Sequence, residues 1–379
     1  MKDFFTATVR VVILALTLST LGACAFAPGM RFDPDWPVDP NDPNSVPRIT
    51  RITPSLVLEE KRVREAEADT AYHALAGEGM PYVIGPGDIL SIVVWDHPEL
   101  VLPTQTYAIG AGATELTLGD SSSNIPGYPV SAEGYIQFPY LGLVKVAGLT
   151  ETEVRDLITK NAVDYIRNPQ ITVRVLGYRS KRVYLEGELK NPGAVAMNDL
   201  PLNLMEAINR AGGLLPSADR SRVYVLRGGQ AVRLDLPRLI ARGQDLTKIM
   251  LKPGDIVRVS PREESKIFVM GEVNAPQAMT LRDGRMSLTE ALGNAGGLNQ
   301  NTVDPSQIFV VRTTPEALPD VYHLDASSAS ALAVAEQFEL KPKDVVFVDT
   351  GNLGRWNRFV SLLFPSAQTA YTAARIDDR

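Results

Sequence analysis

Few side chains in this chain of 379 residues have the type and spacing to do chemistry. Cys24 is the single cysteine. One cysteine forms no internal disulfide, so this thiol needs another reason to be present. His73, His97 and His323 lie far apart, and no HExxH or paired Cys/His spacing occurs, so no metal site is expected. His97 stands between Asp96 and Pro98 and reads as a turn histidine rather than a catalytic base. Glu188 and Glu272 each follow a glycine at matching points of an internal repeat, which suits a structural or interfacial role better than an acid/base pair. Gly110-Ala111-Gly112 lacks the third glycine of a dinucleotide fingerprint, and the sequence holds no G-x-S-x-G elbow and no Walker loop. The expectation is a protein without enzymatic activity, cofactor or metal.

The one residue with a plain chemical fate is Cys24. It follows the apolar run Val11-Val12-Ile13-Leu14-Ala15-Leu16-Thr17-Leu18, with Lys2 and Arg10 as a basic start. A basic start, a short apolar stretch and small residues before the break make a secretory signal. The run is shorter than the roughly 20 residues a membrane-crossing helix needs. The string Leu21-Gly22-Ala23-Cys24 resembles the lipobox of bacterial lipoproteins, which implies cleavage before Cys24 and a lipid on its sulfur. The competing reading is an ordinary signal cleaved elsewhere, leaving a free thiol. Ala25 follows, with no Asp there as an inner-membrane retention signal, so by the same resemblance the address is the outer membrane.

The remaining bulk properties set the class. Hydrophobic residues make up 45% and charged residues 22%, ordinary for globular domains. A formal net charge of -6 gives no basic footprint, so nucleic acid is not an expected partner. The 27 prolines and 29 glycines favour many short strands and turns over a helical bundle. The class expected is α+β and multidomain.

Residues 24–54 are rich in Pro and Asp and read as an extended tether. A solvated helix is expected over 56–75. Gly85-Pro86-Gly87-Asp88 is a turn signal opening a β-rich run over 89–95 that ends with Trp95. Residues 101–127 read as a long insert. The segment 130–142 reads as a hairpin around Glu133-Gly134. Thr150 and Glu153 form a capping box for a helix expected to run to about 167, and 170–176 alternates as a strand does.

From 178 onward the chain repeats itself. Tyr184-Leu-Glu-Gly-Glu-Leu-Lys-Asn-Pro-Gly matches Phe268-Val-Met-Gly-Glu-Val-Asn-Ala-Pro-Gln, and Ala211-Gly212-Gly213-Leu214 matches Ala295-Gly296-Gly297-Leu298. Each copy closes on a Lys-Pro-x-Asp turn and a strand, at Lys252-Pro253-Gly254-Asp255 and Lys341-Pro342-Lys343-Asp344. One unit of hairpin, helix and strand therefore occurs twice. The paired glycines follow apolar-periodic helices and read as left-handed helix caps.

The last segment changes character. At about 100° per residue, Arg358, Ser361, Gln368 and Thr372 share one arc, with Trp356, Phe359, Leu363 and Ala370 opposite. From these residues alone, two readings stand level. One is a membrane-spanning stave of an oligomeric pore, polar stripe toward water; the other is an amphipathic helix packed on the last domain or lying flat on a membrane.

Residues 82–100 and Gly134-Tyr-Ile-Gln-Phe-Pro-Tyr-Leu-Gly142 resemble the signature segments of the outer-membrane polysaccharide export lipoprotein family, the Wza-like capsule translocons. The two repeats resemble the soluble-ligand-binding β-grasp modules (SLBB) of that family. The resemblance covers roughly 80–350 and implies a division into signal peptide 1–23, tether and short helix 24–79, export domain 80–177, β-grasp repeats 178–262 and 263–350, and C-terminal helix 351–379. Gly85, Pro86, Gly87, Asp88 and Trp95 carry the family motif. The resemblance further implies a lipid-anchored outer-membrane ring, octameric in the best-known member, exporting capsular or exopolysaccharide to the cell surface. Implied partners are the polysaccharide cargo, other copies of the chain, and an inner-membrane polysaccharide co-polymerase or tyrosine autokinase. It favours the spanning reading of the C-terminal helix, with the C-terminus at the cell surface. The alternative is a lipid-anchored periplasmic ligand-binding protein without a pore.

Overall fold

The computed structural model describes residues 48–97, 100, 127–314 and 319–351. Cys24, nearly all of the 101–127 insert and all but residue 351 of the expected C-terminal helix, with Trp356, Arg358, Phe359, Ser361, Leu363, Gln368, Ala370 and Thr372, lie outside these. Among the described residues no helix is long and apolar enough to cross a membrane. The described residues form two compact units, one within 66–261 and one joining 48–65 to the described residues of 262–351.

The described chain begins with a strand where an extended tether is expected. β1 (Arg48–Arg51) pairs in parallel with β15 (Asp320–Leu324), Ile49 opposite Val321. Four residues with one Ile carry too little periodicity to announce a strand; its partner lies far along the chain. Helix α1 (Pro54–Leu75) follows, with the Thr53 hydroxyl accepting from the Leu56 N–H and Pro54 in the first turn, where its missing N–H costs nothing. Val57 enters the core of one unit, and Ala68, Tyr72 and Leu75 enter that of the other.

Residues 89–177 contain a three-stranded antiparallel sheet. β2 (Ile89–Val94) lies between β3 (Tyr128–Pro129) and β6 (Ile171–Gly177). A separate two-stranded ladder pairs β4 (Tyr135–Phe138) with β5 (Gly142–Lys145). The hairpin reversal is therefore at 139–141, not at Glu133-Gly134. Tyr140 and Gly142 both take positive φ, 63° and 70°, and make the reversal, whereas Gly134 closes a tight turn by donating to the Ser131 carbonyl at 2.9 Å. Helix α2 (Glu151–Ala162) carries the expected capping box, Thr150 with Glu153. Val154, Ile158 and Ala162, at a four-residue spacing, are its buried face. It ends well before 167, and Asn168, with φ 52°, and Pro169 turn the chain into β6.

The two repeats fold alike. The first has β7 (Arg182–Gly187), β8 (Gly193–Ala196), α3 (Leu204–Arg210), β9 (Ala218–Arg227), β10 (Gln230–Leu234), α4 (Leu236–Ala241) and β11 (Ile256–Pro261). The second has β12 (Lys266–Gly271), β13 (Gln277–Thr280), α5 (Leu288–Asn294), β14 (Val303–Arg312), β15, α6 (Ala329–Ala335) and β16 (Val345–Thr350). Sheet orders are β10-β9-β11-β7-β8 and β15-β14-β16-β12-β13, so strand for strand they match, with β1 added beyond β15 in the second. In both, the first and last strands run parallel at the centre. The alternating residues of those strands fill equivalent cores: Val183, Leu185, Val257 and Val259 in one, Ile267, Val269, Val346 and Val348 in the other, all at most 1% exposed. Each such side chain contributes roughly 1.5–3 kcal/mol by leaving water. Helices α3 and α5 end on the paired glycines, all four at positive φ, and the N–H of Gly213 and of Gly297 donates to Ile208 and Leu292 carbonyls at 2.9 Å.

Candidate functional site

The motif turn 85–88 is built around a buried carboxylate. Asp88 is fully buried and accepts five hydrogen bonds. The Tyr82 hydroxyl, the Gly85 N–H and the Ser180 hydroxyl donate to Oδ2 at 2.8, 2.9 and 2.9 Å. The N–H groups of Arg179 and Ser180 donate to Oδ1, each at 2.8 Å. Gly87 has φ 91°, which Gly accepts without strain. Gly85 has no room for a methyl, since a Cβ there would stand 2.6 Å from Ser180 Oγ. Pro86 fixes the turn between the two glycines. The turn thus ties the start of β2 to the segment that leads into the first repeat.

Burial shapes the surrounding groups. Desolvation raises the Tyr82 pKa; Ser180 opposes this and Asp88 adds to it. Tyr178 meets Tyr82 edge-on at 4.8 Å and is pushed up to about 12, chiefly by burial and then by the charges of Asp199 and Glu151. The Lys181 ammonium stands 5.0 Å over the Tyr82 ring, and burial lowers its pKa against the pull of Asp88. Trp95 is 62% exposed, and its indole N–H donates to Thr172 Oγ1 at 3.2 Å. Asp88 precedes β2 and Trp95 follows it, so the motif splits into a latch at one end of the strand and an exposed aromatic at the other. His97 donates its backbone N–H to the Val94 carbonyl, as a turn residue does.

The same turn recurs in both repeats with a different partner. Asp255 accepts the Lys252 N–H at 2.7 Å and a bidentate pair from Arg227, at 3.0 and 2.7 Å. Asp344 accepts the Lys341 N–H at 2.8 Å and Arg312 at 3.0 and 2.8 Å. Arg312 also reaches Glu60 of α1 at 3.0 Å and lies over the Tyr322 ring. These buried pairs are matched fork to carboxylate, the arrangement that offsets desolvation best. Glu188 accepts the Ser217 hydroxyl, and Glu272 that of Thr302, so the repeated glutamates hold equivalent loops. Reading for chemistry missed the Arg227–Asp255 and Arg312–Asp344 pairs and a second matched pair, Asp219 with Ser221 and Asp304 with Ser306. The signal was present in the sequence: Arg closing each third strand and Asp-x-Ser opening it.

Beside the Asp88 cluster, residues 74–83 and the first repeat enclose a cleft of about 470 Å³, floored by Met197, Leu202 and Met250.

Three buried aspartate turns, an export-type domain and a duplicated β-grasp module define a modular α+β scaffold held by structural carboxylates. The chain belongs to the polysaccharide biosynthesis/export protein family, whose profile matches residues 76–176; SLBB domain profiles match 181–259 and 265–348. It is 50% identical over 372 residues to the EPS I polysaccharide export outer membrane protein EpsA of Ralstonia solanacearum, covering 97% of this chain and 98% of that protein. It is 24% identical over 360 residues to the capsule polysaccharide export outer membrane protein CtrA of Neisseria meningitidis serogroup A, covering 85% and 90%. It is also 24% identical over 357 residues to the Vi polysaccharide export protein VexA/TviF of Salmonella typhi, covering 91% and 94%.

Proposed function

We propose that this protein exports an exopolysaccharide or capsular polysaccharide through the outer membrane. The observation that carries the reading is the end-to-end likeness to an outer-membrane export protein at 50% identity, with the domain order intact. Deleting the gene is the direct test. Surface polymer should disappear while precursor synthesis continues, and a deletion strain with normal surface polymer overturns the reading.

The finer proposal is a lipoprotein ring. The lipobox supports a lipid on Cys24, and the polar stripe of Arg358, Ser361, Gln368 and Thr372 supports a pore-lining helix, with Trp356, Phe359, Leu363 and Ala370 toward lipid. A polar stripe is uncomfortable in lipid unless several copies turn it toward a common water-filled centre. The cargo is the polysaccharide, and the proposed inner-membrane partner is a polysaccharide co-polymerase or tyrosine autokinase. Particle images of detergent-extracted protein should show closed rings; monomers sink the ring. Cysteines placed after residue 375 should label from outside intact cells; labelling only after lysis sinks the spanning helix.

A further inference from the structure

The cleft beside the Asp88 latch is lined by apolar and cationic side chains. Its volume, about 470 Å³, lies within the range of small-ligand sites. At one end Gly79 packs so tightly on Pro201 that a Cβ would stand 2.3 Å from the proline ring. Exposed Met80 and Leu200 and the half-buried Tyr82 give it an apolar wall.

Three polar side chains among its lining matter most, Asn198, Lys181 and Lys252. Asn198 Oδ1 is buried with no hydrogen-bond partner, an acceptor waiting for a donor. Lys181 and Lys252 line the same cleft, and neither has an ion-pair partner among the described residues. Arg227 is neutralised by Asp255, and the single acid in the lining, Glu78, is exposed. The cleft is therefore net cationic in a chain whose formal charge is -6. A ligand satisfying it needs an anionic group, a hydroxyl to donate and an apolar face.

We propose that this cleft binds a carboxylated pyranose, an acidic sugar residue. Its carboxylate pairs with Lys181 and Lys252, a ring hydroxyl donates to Asn198 Oδ1, and its C–H face lies on Tyr82, Met80 and Leu200. Burial disfavours the Lys181 ammonium and Asp88 favours it, so an anion in the cleft adds to the pull of Asp88. The choice of a sugar rests on the export reading.

Calorimetric titration of the purified full-length protein in detergent tests the site, with trigalacturonate as probe and its methyl ester as the uncharged isostere. Trigalacturonate should bind saturably, the ester at least tenfold more weakly. Lys181→Met should weaken the acid at least tenfold and the ester little. Leu200→Trp, which fills the cleft without touching a charge, should abolish binding of both. Thermal unfolding midpoints within a few degrees of wild type show that the variants fold. Equal affinity for acid and ester, no binding of either, or undiminished binding to folded Leu200→Trp overturns the proposal. These failures leave the gene-deletion result untouched, and normal surface polymer in the deletion strain would remove the export role without altering a measured cleft affinity.

Discussion

Asp88 holds five donors with one side chain, so its removal strands groups rather than breaking a single contact. Each buried donor left unsatisfied costs about 1–3 kcal/mol, and local relaxation recovers part of that. Asp88→Ala should lower unfolding free energy by about 3 kcal/mol or more, read from urea denaturation of the purified protein; a change below about 1 kcal/mol contradicts the latch. Alkaline pH probes the same cluster. Tyr82 and Tyr178 both have raised pKa values in the folded protein, so the neutral phenols are favoured by folding. Their contribution is complete below the ordinary tyrosine value of about 10 and fades as pH climbs, for Tyr178 toward about 12. Stability should therefore fall with pH above about 10, and Tyr82→Phe should flatten that slope while costing its two hydrogen bonds at neutral pH. Phenolate absorbance is the check: the late-ionising tyrosines of the folded protein, to which Tyr128 and Tyr322 also belong, should number one fewer in Tyr82→Phe and should titrate ordinarily after unfolding; ordinary titration of every tyrosine in the folded protein refutes it.

Among the elements, the repeats were legible because their constraints are local and doubled. Gly187 and Gly271 have φ of 86° and 88°, and a Cβ on either would sit 2.0 Å from the carbonyl oxygen of Val259 or Val348. Backbone cannot yield as a side-chain tip can, so Gly187→Ala and Gly271→Ala should each cost at least about 3 kcal/mol, far above Gly254→Ala, where only the positive φ is at stake. Comparable denaturation midpoints for all three would refute the close-approach argument. The glycine caps and the Thr150 capping box were readable for the same reason: each acts within a few residues of itself. What escaped the sequence was set by distant partners. β1 exists because β15 offers it an edge, and nothing in Arg48-Ile-Thr-Arg says so. The hairpin of β4 and β5 turns on Tyr140 at φ 63°, a conformation its residue type does not advertise, while Glu133-Gly134 looked the better turn. The aspartate turns were visible as turns and Arg227 and Arg312 as matching residues of the repeat, yet their pairing across 28 and 32 residues became evident only through packing.

For the whole molecule, the proposed lipid on Cys24 and the proposed C-terminal stave act on one bilayer from opposite ends of the chain. One acyl-linked segment gives marginal attachment, and a single helix with a polar stripe is a poor lipid partner. Repeated around a ring, the anchors engage together, because once one subunit is held the others bind at a high effective concentration. The core does not depend on this, since the described cores are assembled from residues 52 onward. Cys24→Ser should therefore leave the unfolding midpoint of the purified protein unchanged, while reducing its recovery in the outer-membrane fraction and the polymer at the cell surface several-fold. If fractionation and export stay at wild-type levels, attachment comes from the helix ring alone and the thiol is incidental. If the midpoint falls along with them, Cys24 is part of the fold, and the separation of anchor from scaffold is wrong.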